Sequence, residues 1–207
     1  MPAAMPTGTP AATGTSATTD TSAMASDRNP VSRYGGASWH TGAVRVYLPS
    51  TLAAARSVWD SGQVPAGTGF AVTPALREWY AQSESEEELE YAVLHDAARA
   101  CLRLLDADPV APRRRLVFVA ELADGQVRVR DDLERGAVEI DFPVPWTSVE
   151  AIHVDDGDDA EALAAVRAAA DQIIEADLGG EDAAFAVDSA EGFELLWFAP
   201  QELADLL

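Results

Sequence analysis

The chain has 207 residues, a formal net charge of −21 and one cysteine. A surface this negative repels phosphate backbones, so nucleic acid is not an expected partner, and a lone cysteine closes no internal disulfide. No apolar run approaches the ~20 residues of a membrane span, and the N-terminus lacks the basic and apolar regions of a secretory signal, so the expectation is a cytoplasmic protein without membrane association.

Charge and hydropathy divide the chain at Val44. Upstream, Asp20 and Asp27 balance Arg28 and Arg33, and Thr, Ala, Ser, Gly and Pro dominate. Without apolar periodicity to offset the ordering entropy, residues 1–43 are expected to be a disordered tail. Downstream, residues 44–207 carry dense apolar patterning and the whole net negative charge. A domain of about 160 residues buries roughly two-thirds of its unfolded surface and needs no staple. The basic residues are all arginine. GC-rich codon usage accounts for that choice, and a halophilic source would account equally well for the acidity.

Val44, Val46 and Leu48 alternate with Arg45 and Tyr47, which predicts a strand. Thr51 is placed to cap a short helix over Leu52–Trp59 that ends near Gly62, and Phe70-Ala71-Val72 reads as a second strand. Thr73-Pro74 opens a short helix to Tyr80. Ser85 and Glu88 have capping-box spacing, Glu86 and Glu87 favour the positive end of the dipole, and Leu89, Val93, Ala97, Ala100, Cys101 and Leu104 form one apolar face. Asp108-Pro109 ends this helix. Asp124-Gly125 predicts a two-residue hairpin that sets Leu122 opposite Val127 and Glu121 opposite Arg128. Strands are expected at Val138–Phe142, Ala151–Val154, Ala184–Val187 and Leu195–Phe198, with a helix from Asp158 to Ala176 and a last helical turn after Gln201. Leu52-Ala53-Ala54-Ala55-Arg56 and Phe70-Ala71-Val72 return as Leu163-Ala164-Ala165-Val166-Arg167 and Phe185-Ala186-Val187, a similarity that alanine bias makes easy to obtain by chance.

Few residues carry chemistry. Asp155-Asp156-Gly157-Asp158-Asp159 follows a strand and opens a helix. Carboxylates at such a position can hold Mg²⁺ or phosphate-handling groups, but an acidic first turn is also what the macrodipole favours. The 1,3,5 oxygen spacing and closing Glu of an EF-hand are missing. Arg113-Arg114-Arg115 reads as an ion-paired lead-in to a strand in preference to a phosphate clamp. His40 lies in the tail, His95 is mid-helix beside Tyr91, and His153 is on a strand. Cys101 falls on an apolar helix face, where a thiol is inert core more often than nucleophile. Trp59, Trp79, Trp146 and Trp197 are expected to anchor the core, with one of them available to line a pocket.

Specific strings connect the domain to known sequences. Arg45-Val46-Tyr47-Leu48-Pro49, Phe70-Ala71-Val72-Thr73-Pro74-Ala75-Leu76-Arg77-Glu78-Trp79-Tyr80 and Glu87-Glu88-Leu89-Glu90-Tyr91-Ala92 lie in its first half. The Ala151-to-Asp156 strand, Glu194-Leu195-Leu196-Trp197 and Gln201-Glu202 lie in its second. On these residues the chain resembles an actinobacterial family of uncharacterised proteins that share a domain of unknown function, from about Val44 to Leu207. The resemblance implies no activity, cofactor or catalytic residue. It does imply that relatives begin near Arg45 with their initiator methionine, which leaves residues 1–43 outside the pattern and makes Val44 a candidate translation start.

The expected fold is α+β, one domain from Val44 to Leu207, with a mixed, mostly antiparallel sheet of about seven or eight strands and helices mainly on one face. No catalytic or cofactor-binding residue and no cofactor is assigned, and no metal site; Asp155, Asp156, Asp158 and Asp159 are the residues a metal reading would use. The leading functional expectation is a non-catalytic cytoplasmic protein that binds a partner protein or a small ligand. The alternative is a Mg²⁺-dependent enzyme acting on a phosphorylated or nucleotide substrate at Asp155–Asp159.

Overall fold

The computed structural model describes residues 42–80 and 85–207, so the expectation for the tail lies outside the described residues except at Gly42 and Ala43. Strand β1 (Ala43–Thr51) leads directly into helix α1 (Leu52–Ser61). Thr51 is the N-cap, its hydroxyl accepting from the Ala54 amide at 3.1 Å, and Gly62 closes the helix in the left-handed conformation (φ 70°) that glycine adopts without penalty. Strands β2 (Gln63–Val64) and β3 (Gly67–Phe70) follow, then α2 (Pro74–Trp79), where Thr73 caps through the Leu76 amide and proline fills the first turn. Helix α3 (Glu86–Ala107) is the longest element, with Ser85 at its N-cap and three glutamates in its first turn. Ser85 makes no side-chain cap bond, so this part of the expected capping box is absent.

Strands β4 (Arg115–Ala123), β5 (Arg128–Val129), β6 (Ala137–Ile140), β7 (Val144–Pro145) and β8 (Val149–Val154) come next. Helices α4 (Ala160–Ala170), α5 (Ile173–Asp177) and α6 (Glu181–Glu191), strand β9 (Leu196–Phe198) and helix α7 (Leu203–Leu206) complete the chain. Among the described residues the main sheet has seven strands in the order β5-β6-β3-β1-β4-β8-β9, and each of its ladders is antiparallel. A small second sheet pairs β2 with β7. The fold class is α+β, as the patterning predicts.

Side-chain alternation divides the core into two faces. Val46, Leu48, Leu116, Phe118 and Ile152 point to a face covered by α1, the β2–β7 ribbon, Leu203 and Trp146. Tyr47, Val117, Val119 and Ala151 point to the other, covered by α2 and the Leu89, Val93, Ala97, Cys101 stripe of α3. Behind α3, Leu102 and Leu105 pack on α4–α6 through Val166, Ala169, Ile173 and Val187. The longer helices thus stack on one side. Two buried stripes on α3 also correct the single face read from the sequence, and Leu104, near the C-terminal end of the helix, is exposed.

Three further expectations are overturned. The Asp124-Gly125 hairpin does not form, because the two segments it would join pair elsewhere: β1 pairs along the whole length of β4, and Arg128 and Val129 pair with β6. Residues 124–126 make a 3-10 turn, closed by the Gln126 side chain accepting from the Ala123 amide at 3.0 Å, and the chain crosses to β6. Glu121 therefore faces Arg45, and Arg128 pairs with Glu139 at 2.7 Å. Ala184–Val187 is helix, not strand. Gly179 (φ 92°) ends α5, Gly180 caps α6, and burial of Ala183, Val187 and Ala190 at helical spacing overrides the β-propensity of Phe185-Ala186-Val187. The strand–helix–strand similarity between the two ends accordingly has no structural counterpart. The helix expected over Asp158–Ala176 begins at Ala160 and breaks after Ala170, before α5 resumes at Ile173.

At Gly69, a Cβ would sit 2.9 Å from both Leu48 Cδ2 and Val46 Cγ1 and 3.2 Å from the Tyr47 carbonyl oxygen. Gly69→Ala should destabilise the protein by about 1–3 kcal/mol through overpacking. Urea unfolding checks this as a lower midpoint with an unchanged slope.

Candidate functional site

Arg113, Arg114 and Arg115 anchor the aspartate segment. The fully buried Arg115 and Asp155 form a two-pronged pair: Arg115 Nη2 donates to Oδ1 at 2.7 Å, Nε to both carboxylate oxygens at 3.1 Å, and the Arg115 amide to Oδ2 at 2.6 Å. Arg115 Nη2 also donates to the Phe193 carbonyl at 2.9 Å, tying the start of β4 to the end of β8 and the approach to β9. Arg114 donates twice to the Asp155 carbonyl, at 2.6 and 3.0 Å, and lies so close to Gly157 that a Cβ there would meet its guanidinium carbon at 3.0 Å. Arg113 donates to the Leu105 carbonyl and pairs with Asp171. The basic run is an ion-paired lead-in.

Three of the four candidate metal ligands have a local task. Asp155 neutralises Arg115, Asp156 accepts from the Asp158 amide at 2.9 Å, and Asp159 caps α4 by accepting from Glu161 and Ala162. Asp158 has only its backbone amide in this network. Among the described residues no group of three or more His, Cys, Asp or Glu side chains is gathered as a metal cage.

The thiol and the histidines are not assembled for nucleophilic chemistry. Cys101 Sγ is buried and donates to the carbonyls of Ala97 (3.3 Å) and Leu116 (3.1 Å); burial pushes the thiol up to about 12. His95 stacks obliquely on Tyr91 with ring centroids 4.4 Å apart. His153 is held below the ordinary imidazole value by burial, so it is neutral at physiological pH, and its buried Nδ1 has no hydrogen-bond partner.

A concavity lies elsewhere, between the N-terminal half of α3 and the β1-β4-β8-β9 side of the sheet, with a volume of about 470 Å³. Strand parity sends Arg45 and Tyr47 of β1 into it, with Val119 of β4 on the floor. A β-bulge adds the rest. Val119 pairs with Ala151 and Ala120 with Val149, so Glu150 is the extra residue, and Glu150, Ala151 and His153 all line the same space. Helix α3 contributes Glu87, Glu90, Tyr91 and Leu94, and Trp197 of β9 forms the opposite rim. Arg45 Nη1 donates to Glu90 at 2.8 Å, with Glu150 at 3.6 Å from its Nε. Burial, and next the Glu90 carboxylate, raise the Tyr47 phenol above its ordinary value, which keeps it a neutral hydroxyl. A narrower recess continues from Tyr91, Leu94 and His153 to His95, Phe193 and Arg115.

The tryptophans correct the expectation of four core anchors. Trp59, Trp79 and Trp197 are 47%, 65% and 61% exposed, and Trp146 alone packs inward, edge-on to Phe118 at 5.7 Å. Trp79 carries the Arg135 guanidinium over its ring at 3.8 Å, whereas Trp197 faces the cleft. Sequence reasoning missed the cleft as a unit. The alternation of Arg45 and Tyr47 against Val44, Val46 and Leu48 was its visible trace; the bulge at Glu150 left none.

A family model described as a family of unknown function (DUF6912) matches residues 44–207. The chain belongs to that family. No curated protein and no solved structure matches it. The DUF6912 match begins one residue after β1 does and extends through the last residue of the chain.

Removing the carboxylate of Asp155 strands Arg115 in the interior. Asp155→Ala should cost about 3–5 kcal/mol of stability, whereas Asp156→Ala, at a more exposed position, should cost under about 1 kcal/mol. Chemical denaturation of the two variants separates this structural role from a ligand role, which would affect both positions alike.

Proposed function

We propose that this DUF6912 protein is a non-catalytic cytoplasmic binding protein, and that the cleft between α3 and the sheet receives a small ligand or a side chain of a partner protein. The observation that carries this reading is the cleft itself. Its volume of about 470 Å³ falls in the range of ligand sites, and it combines an apolar floor at Val119 and Ala151 with convergent polar groups and an aromatic rim. Tyr91 and Trp197 are both more than half exposed at that rim, where large apolar surface is available for contact. No helix among the described residues is long and apolar enough to cross a membrane, in keeping with a cytoplasmic setting.

Mg²⁺-dependent chemistry at Asp155–Asp159 has less support. Its most buried carboxylate is committed to Arg115, and two others hold backbone amides. Opening Asp155 to a metal would leave a buried guanidinium uncompensated.

Amide chemical-shift mapping on the full chain, titrated in turn with a mixed panel of small aromatic fragments and with Mg²⁺ plus inorganic phosphate, tests the two readings together. Fragments should perturb Tyr91, Glu150, His153 and Trp197, and Tyr91→Ala combined with Trp197→Ala should weaken that response at least tenfold. Perturbations confined to Asp155–Glu161 on adding Mg²⁺ and phosphate would reverse the assignment.

A further inference from the structure

We infer that the cleft selects a ligand bearing a protonated amine or guanidinium beside an apolar or aromatic body; this rests on the cleft being a binding site. Three carboxylates, Glu87, Glu90 and Glu150, line it against one guanidinium, Arg45. Arg45 is already engaged, at 2.8 Å from Glu90 and 3.6 Å from Glu150, and offers little to an incoming anion. Glu87 enters no ion pair among the described residues and stands at the mouth, in the first turn of α3. The space therefore holds two negative charges in excess.

The other lining groups do not cancel that excess. Tyr47 is a neutral hydroxyl, and His153 is a neutral imidazole because its burial disfavours the cation. Tyr91 and Trp197 add electron-rich faces from opposite sides, one on α3 and one on β9, and such faces attract a cation as well as an apolar body. An anionic ligand would meet this net negative charge. A neutral one would leave it unused.

Three compounds that share one ring body isolate the charge: tyramine (ammonium), tyrosol (hydroxyl) and 4-hydroxyphenylacetate (carboxylate). Chemical-shift titration of the full chain should show tyramine binding at least tenfold tighter than tyrosol, with 4-hydroxyphenylacetate weakest. Glu87→Gln combined with Glu150→Gln, both at exposed positions, should weaken tyramine at least tenfold and leave tyrosol unchanged. The same comparison between an acetyl-Gly-Arg-Gly-amide peptide and its citrulline counterpart distinguishes a partner's side chain from a free amine as the source of the cation. A preference of either cation over its neutral match, lost in the double variant, supports the inference and names the source. Equal or tighter binding of tyrosol or 4-hydroxyphenylacetate, or a tyramine affinity indifferent to the double variant, overturns it while leaving the cleft a binding site. If none of the compounds perturbs the cleft, the binding reading falls as well.

Discussion

The β1–β4 ladder governs the rest of the structure. Nine consecutive pairs, from Ala43 opposite Ala123 to Thr51 opposite Arg115, join the two strands at the centre of the sheet. Both strands are buried on both faces, so their alternation sets two cores at once: Val46, Leu48, Leu116 and Phe118 on one side, Tyr47, Val117 and Val119 on the other. A one-residue slip would exchange these sets and drive Arg45 and Glu121 into the interior. Each large apolar side chain buried here is worth roughly 1.5–3 kcal/mol, so the register is strongly specified.

The cleft is a consequence of that ladder. Because Arg45 and Tyr47 share a parity with Val119, they face α3, whose Glu87, Glu90, Tyr91 and Leu94 line the space together with Ala151 of β8. The bulge in β8 then turns Glu150 to the same side as its neighbour Ala151, which plain alternation would forbid. At the other end of β8, the Arg115–Asp155 pair and its bond to the Phe193 carbonyl hold the approach to β9, which carries Trp197. A buried pair of this kind gives little net stability, yet it commits three chain segments to one arrangement. The aspartate segment is scaffold for the aromatic rim.

How much of this was legible in the sequence depends on the range of the interactions. Local signals were faithful: Thr51 and Thr73 cap their helices, Pro74 occupies a first turn, and Gly62 ends α1 in the left-handed conformation. Non-local competition was not legible. Asp124-Gly125 is a sound hairpin signal in isolation, and it loses because β1 pairs with β4 as far as Ala123 and β6 takes Arg128 and Val129. The residues of its apparent charge match go elsewhere: Glu121 stands opposite Arg45 in the β1 ladder, and Arg128 pairs with Glu139. Phe185-Ala186-Val187 fails for a related reason, since small residues buried at helical spacing against α4 outweigh strand propensity. Of the candidate site, the histidine and one tryptophan were named individually. Their gathering with Glu87, Glu90 and Glu150 required the bulge and the crossing of α3, neither of which has a sequence signature.

The ladder itself is the point at which the account is most directly tested. Inter-strand backbone NOEs from Leu122, measured on the full chain, distinguish the two pairings open to this segment. The account predicts contacts from Leu122 to Val44 and from Glu121 to Arg45, with Arg128 in contact with Glu139. Contacts from Leu122 to Val127 would mean that β4 folds back on the following residues and that β1 lies elsewhere, and the cleft would lose Arg45 and Tyr47 with it.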